Sequence, residues 1–255
     1  MSVKIGCQTI TFGGDRHKSD IEGIFKTVKD AGYDGIEFGY KRLDPQQIPL
    51  YKELFEKYSL IPAALHTTCN FRDEESEKQT YSDVIQVFET AKALGCKDVF
   101  TSGDRGKDMP GYYARAGVHM SRIGKIAKDY GVIFSFHNHS HVIEDNARGL
   151  YDLAENSDPA NLAFALDIGW IARGGANAVE VVTKLLNRVS NFHFKEFTAE
   201  WEFTEVGKGI VDFKGVYELV RGKKDFWIIS EQDQTKIGAD ESVRQNLTAI
   251  REIIK

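Results

Sequence analysis

The sequence predicts an α/β fold, a (β/α)8 TIM barrel of eight parallel strands forming one domain over residues 1–255. Three observations predict it. Short apolar runs alternate with longer amphipathic segments along the whole chain, which implies parallel pairing through βαβ crossovers. Eight such units fall within 255 residues, the size of a closed barrel. No Gly-x-Gly-x-x-Gly follows the first run, which counts against an open dinucleotide-binding sheet.

The units follow in order. The first run spans residues 4–9. A helix over 20–31 follows, opened by Ser19 with Glu22 three residues on, a capping-box pattern, and Ile21, Ile24, Phe25 and Val28 recur at helical spacing. The second run is 35–38, with a helix over 45–58. The third is 62–66, with a long helix over 76–94 that Gly95 ends as a C-cap. The fourth is 98–102, with a helix over 111–130 closed at Gly131. The fifth is 132–137, with a shorter helix over 150–156. The sixth is 162–167, with a helix over 178–186. The seventh is 189–194, with a helix over 213–220. The eighth is 227–231, with a helix over 241–253. The segments Lys-Asp-Ala-Gly-Tyr-Asp-Gly-Ile-Glu and Ala-Lys-Asp-Tyr-Gly-Val-Ile-Phe share the order helix end, glycine turn, strand, and read as the repeating unit.

Composition narrows the function. The 33 Lys and Arg against 38 Asp and Glu leave a net charge of −5, and the basic clusters, such as Arg221, Lys223 and Lys224, are short, which argues against nucleic acid. Cys7, Cys69 and Cys96 form neither a paired disulfide framework nor a zinc ribbon, and read as buried small hydrophobes. The N-terminus carries no apolar signal core, and no run approaches transmembrane length. The expectation is a soluble, cytoplasmic protein that meets neither membrane nor nucleic acid, acts on a small carbohydrate, and can associate with copies of itself or a partner subunit.

Position is more informative. Nearly every strand ends on a polar side chain: Gln8, Glu37, His66, the His137-Asn138-His139 run, Asp167, then His193 with Lys195 and Glu196, and finally Glu231. In a barrel these ends converge on one mouth, where barrel active sites lie. Taken singly, Asp167 reads as a turn residue, His193 as a core histidine and Glu231 as a loop acid. Taken together, strands five to eight supply imidazole, carboxylate, imidazole and carboxylate. Those are the donors of a divalent cation with positions left for substrate, and burying them side by side is costly unless they are paired or bound to metal.

The same residues carry a family resemblance. Gly-Tyr-Asp-Gly-Ile-Glu-Phe, Phe-His-Asn-His, Leu-Asp-Ile-Gly-Trp, Asn-Phe-His-Phe-Lys-Glu, Glu-Val-Gly-Lys-Gly-Ile-Val-Asp-Phe and Ile-Ile-Ser-Glu-Gln-Asp make nearly the whole chain resemble the xylose isomerase-like barrels of the sugar phosphate isomerase/epimerase group. The resemblance implies one divalent metal, manganese first, with magnesium, cobalt or zinc able to replace it. Its ligands carry over as Asp167, His193 and Glu231. The strand-five ligand departs: many members have Glu where this chain has His137. That removes one of the two carboxylates the family's epimerases use as paired acid and base. Trp170 also departs, standing where ketose epimerases often have a histidine. It either stacks on a substrate or packs on the barrel rim.

The expected activity is a metal-dependent isomerase or epimerase acting on a keto-sugar or related polyol through a stabilised enediolate. The alternative is a lyase on a keto-cyclitol or 3-oxo-glycoside, of the inosose dehydratase or C-glycoside-cleaving kind. A DNA-repair endonuclease and a non-catalytic barrel rank behind both. Glu231, His139, Glu37 and Lys195 are the candidate catalytic groups, and His66, Trp170 and Gln8 the candidate substrate contacts. Lys195 either polarises an oxygen or pairs with Glu196 or Glu37. The Gly207-Lys208-Gly209 turn either offers amides to an anion or is a plain tight turn.

Overall fold

The computed structural model describes residues 3–106 and 108–255; Met1 and Ser2, the start of the N-terminal segment read above, lie outside them, as does Lys107. Eight strands close a parallel barrel. In chain order they are β1 (Lys4–Gln8), β2 (Gly35–Gly39), β3 (Ile61–Cys69), β4 (Asp98–Gly103), β5 (Ile133–His137), β6 (Ala163–Asp167), β7 (Val189–Phe194) and β10 (Trp227–Ser230), with β10 closing on β1. A two-stranded antiparallel ribbon, β8 (Glu196–Phe197) with β9 (Phe203–Thr204), interrupts the series after β7.

The outer ring forms because each helix presents one apolar stripe to the sheet. In α2 (Ile21–Ala31) that stripe is Ile24, Phe25 and Val28, all fully buried. The others are α3 (Ile48–Lys57), α4 (Glu74–Leu94), α5 (Tyr112–Ala127), α6 (Glu144–Glu155), α8 (Ala178–Leu185), α9 (Phe213–Val220) and α10 (Ala239–Ile253). Gly95 and Gly131 take left-handed conformations at helix ends, as expected. The barrel interior is a separate small cluster of Ala63, Ala64, Phe100, Ala165, Trp227 and Ile229. Alanines on β3 and β6 make room for Phe100 and Trp227, the large-against-small filling of a closed barrel. Below it, Asn191 bridges the barrel floor: its amide donates to Asp98 (2.9 Å) and accepts from the Trp227 N–H (2.7 Å). All three cysteines are free and buried.

Four local expectations are corrected. The cap of α2 is Asp20, which accepts from the Gly23 N–H at 3.0 Å. Ser19 is taken up by a short helix, α1 (Gly13–Ser19), so it cannot adopt the extended backbone a cap needs. The third strand runs on to Cys69, because Leu65 to Cys69 keep pairing with β4. The sixth helix starts six residues early, through a left-handed turn at Asp145, Asn146 and Ala147. A further helix, α7 (Ile168–Arg173), follows β6 directly, with Asp167 as its cap.

Candidate metal and active site

The polar strand ends gather at one mouth. His66, His137 and His193 come from alternate strands and form one layer. Their ring centroids lie 4.7 Å apart for the first two, 4.4 Å for the last two and 6.4 Å for the outer pair. His137 and His193 are fully buried, as are Glu37 and Asp167.

Hydrogen bonding sets the ring orientations. His193 Nε2 donates to Glu37 Oε2 at 2.8 Å, which turns its Nδ1 toward His137 Nδ1 at 3.3 Å. Glu37 Oε1 receives Gln8 Nε2 at 2.9 Å and His66 Nδ1 at 3.2 Å. Burial alone would raise the Glu37 carboxyl, but His193 and His66 together outweigh it and hold it at about 2. The same contact raises His193, whereas burial and the neighbouring imidazoles push His137 far down, so it stays neutral. A neutral imidazole with an imposed tautomer is what a metal ligand needs.

Lys195 is buried and pairs with Asp233 at 2.6 Å, Glu231 at 3.2 Å and Asp167 at 3.6 Å. Burial would lower its ammonium, but the carboxylates raise it. Burial raises Asp167, with Lys195 opposing. Lys195 therefore pairs with neither Glu196 nor Glu37. Glu196 instead accepts from the N–H groups of Phe197, Gly207 and Val211 at 3.0, 3.3 and 3.0 Å. The anion seated in the glycine turn is thus an internal carboxylate. A side chain at Gly209 would meet the Phe197 carbonyl at 2.1 Å, so only glycine closes that turn.

Two devices place the remaining groups. Asn138 clamps β5 to the end of β6, its amide exchanging two 3.0 Å bonds with the Asp167 backbone. Gly169 lies against the Lys195 carbonyl, where a Cβ would stand 2.1 Å away. That approach brings Trp170 over the Lys195 ammonium at 4.5 Å. Trp170 packs on Phe197 and Phe203, and Arg173 stacks on the same rings. His139 meets both His137 and Trp170 edge-on. Burial, then Lys195, lowers it to about 3.

Not every anticipated contact faces open space. Gln8 spends its amide nitrogen on Glu37 and its oxygen on the Ile10 N–H at 2.8 Å, so it braces the site from within and is closed to substrate. Glu37 stands fully buried behind the His193 ring with both oxygens engaged, which closes it to substrate as a base. His66 bridges Glu37 to Ser102 Oγ at 2.7 Å. Ser102 and Asp233 join the site without having been singled out in the sequence. Asp233 carried a faint signal, two residues beyond Glu231; Ser102, one hydroxyl among many, carried none.

The donor set fits a divalent cation. One nitrogen each of His137 and His193 and one oxygen of Glu231 lie within 4.8 Å of one another. Ligands of a common ion at 2.0–2.2 Å stand no more than about 4.4 Å apart. His137 Nε2, Asp167 Oδ2 and Glu231 Oε2 are buried without a hydrogen-bond partner, a costly state that a bound cation would relieve. Asp167 Oδ2 is 4.0 Å from His137 Nε2. A cavity of about 850 Å³ opens nearby, lined on this side by Ser102, His139 and Trp170 and by none of the four donors.

Comparison with known proteins bears on this mouth. Residues 25–253 match the xylose isomerase-like TIM barrel family. An inosose dehydratase of Lacticaseibacillus casei is 23% identical over 92% of this chain and 91% of its own length. A sugar phosphate isomerase/epimerase from Parabacteroides distasonis superposes with a TM-score of 0.81 at 18% identity, covering 100% of this chain and 99% of that one. The IolI protein with a bound zinc atom superposes with a TM-score of 0.82 at 18% identity, covering 99% and 98%. Among the described residues, no helix is long and apolar enough to cross a membrane.

Proposed function

The chain belongs to the xylose isomerase-like TIM barrel family of enzymes, and we propose that it is a divalent-metal-dependent lyase acting on a cyclic keto-polyol or keto-glycoside. In this reading a C–H proton next to the ketone is removed and a group on the following carbon leaves. His137, His193 and Glu231 would hold the metal, with Asp167 as fourth donor. Two histidines with carboxylates suit zinc, manganese or cobalt. The ion would polarise the carbonyl and a neighbouring hydroxyl and so acidify the adjacent C–H.

The observation that carries the lyase reading is the pair Glu231 and Lys195, 3.2 Å apart. Glu231 would hold the ion through one carboxylate oxygen and accept the proton on the other. Lys195, held charged by three carboxylates, is the donor to the departing oxygen. A base and an acid side by side serve elimination. Epimerisation needs acceptors on both faces of the carbon, and Glu37 is closed off behind His193. The curated relative named an inosose dehydratase supports the same direction. One observation favours an epimerase as second reading: His139 Nε2 has only a 3.5 Å contact to Ser102 Oγ and could act as the second base.

The test is turnover in heavy water of inososes, ketoses and 3-oxo-glycosides by the metal-loaded enzyme, followed by NMR. A lyase gives an unsaturated product. Lys195→Met then loses elimination yet still exchanges the substrate C–H for deuterium, because Glu231 remains. An epimer carrying solvent deuterium, with Lys195→Met still active, would favour the epimerase. Turnover of substrate deuterated at that carbon with the label still on that carbon in the product sinks both.

A further inference from the structure

A second cavity, of about 390 Å³, is lined by none of the four metal donors. It lies between α1, residues 41–44 after β2 and the start of α3. Its wall carries three cations, Lys18, Lys41 and Arg42, and a single acid, Asp44. Among the described residues, none of the three cations has a hydrogen-bond or ion-pair acceptor. Arg42 is half-buried, and a guanidinium's donors are costly to leave without acceptors where water is partly withdrawn. Asp44 is spent on its own turn, where its oxygens accept from the Gln46 N–H at 3.0 Å and the Gln47 side-chain amide at 2.9 Å.

Charge and size define the ligand. Three cations against one acid leave the wall an excess of two positive charges, in a chain whose net charge is −5. One sign of charge gathered in a concavity draws counter-ions in. A phosphate monoester, at about −1.5 to −2, matches that excess, and the planar fork of Arg42 can grip two of its oxygens. A carboxylate would leave one charge unmatched. Ile21, Leu43 and Tyr51 form an apolar part of the wall that suits a small carbon body. The volume holds at most about 13 heavy atoms, at the roughly 30 Å³ that one water occupies in the liquid, which is less than a nucleotide needs. His17 lines the cavity too, but its Nδ1 is spent on the Gly13 carbonyl at 2.6 Å. Burial lowers its pKa, with that carbonyl opposing and Arg42 reinforcing, so the neutral ring shapes the wall and does not hold the anion.

We propose that this cavity is a binding site for a phosphate group, free or carried on a small organic body, separate from the metal cluster and held by Arg42 together with Lys18 and Lys41. Occupancy neutralises three like charges that otherwise repel one another across one concavity. The site sits on the segment that directly follows β2, the strand whose Glu37 orients His193. It is argued from charge and volume alone and is independent of the reaction reading above.

The experiment is calorimetric titration of the full-length, zinc-loaded protein at low salt and a pH near 8, where a phosphate monoester is a dianion. The probes are phenyl phosphate, inorganic phosphate and methyl phenyl phosphate, a monoanion with the same ring. Phenyl phosphate should bind one to one, about fivefold or more tighter than methyl phenyl phosphate. Lys41 borders the larger cavity as well, so Arg42 and Lys18, which do not, carry the discriminating substitutions. Arg42→Gln should weaken phenyl phosphate about tenfold or more, and Lys18→Gln, at an exposed position, about threefold. Lys128→Gln removes the same charge before β5, at the other barrel end, and should leave the affinity within about twofold. Tighter binding of phenyl phosphate than of inorganic phosphate supports an organic phosphate as occupant, and equal binding supports inorganic phosphate. No binding at about 10 mM, an affinity that survives both Arg42→Gln and Lys18→Gln, or an equal loss in Lys128→Gln overturns the site. So does binding that is abolished by His193→Ala and kept by Arg42→Gln, which would place the anion on the metal.

Discussion

Glu37 shows how a residue's role is set by what surrounds it. As a strand-end acid it looked like a base. Its two oxygens are instead spent on three donors, and it acts by fixing the tautomer and direction of His193. Glu37→Gln removes the charge while keeping the shape. Metal affinity should fall about tenfold or more, the usual effect of loosening a hydrogen-bond partner behind a ligand. Equilibrium metal titration on the folded variant reads this without reference to turnover, and an unchanged dissociation constant would remove Glu37 from the site. Asp167 and Glu231 show the reverse case: each keeps a buried oxygen without a hydrogen-bond partner.

Between residues and the whole barrel, the ends of elements decide the geometry. The Phe-His-Asn-His run places its two histidines at the mouth, and the Asn between them ties β5 to β6. Asn138→Ala strips both partners from the Asp167 backbone, each a buried group worth about 1–3 kcal/mol when left unsatisfied. Unfolding in urea should show a loss of about 2–6 kcal/mol. A loss under 1 kcal/mol would mean water replaces the clamp. The ribbon β8–β9 is the other such element. The glycine turn that follows it closes on Glu196, and the ribbon carries Phe197 and Phe203 under Trp170, so it forms one wall of the site.

At the scale of the whole molecule, the two barrel ends are built for different purposes. The mouth gathers titratable groups, while the floor is sealed by Asp98, Asn191 and the Trp227 backbone. Burial raises the Asp98 carboxyl from 3.8 to about 6, although its hydrogen bond from Asn191 opposes this. The folded state therefore binds this proton more tightly than the unfolded chain, and its stabilising contribution is lost as pH rises from about 4 through about 6. Asp98→Asn removes that loss. The variant should match the native protein near pH 4 and exceed it by about 3 kcal/mol above pH 7. Chemical denaturation at both pH values checks it; equal stability at pH 7 would show that the floor hydrates the charge.

The sequence by itself determined the barrel, because alternating apolar periods are local and leave a parallel closed sheet as the solution that buries every face. It also determined which end would gather the polar groups, since chemistry-bearing side chains stood at the C-terminal strand ends from Gln8 to Glu231. Local boundaries with two competing solutions were not legible. Ser19 and Asp20 both suit a cap, and only the packing of α1 chose between them. Nor could spacing reveal that Lys195 would turn to Asp167, Glu231 and Asp233 while Glu196 served the glycine turn. Neighbours along an extended chain point to opposite faces, and Lys195 and Glu196 each meet partners distant in sequence. Which carboxylate orients a ligand, which pairs with the lysine and which keeps a free oxygen is settled by barrel closure alone, because only closure sets the few ångströms separating charges that share one dry mouth.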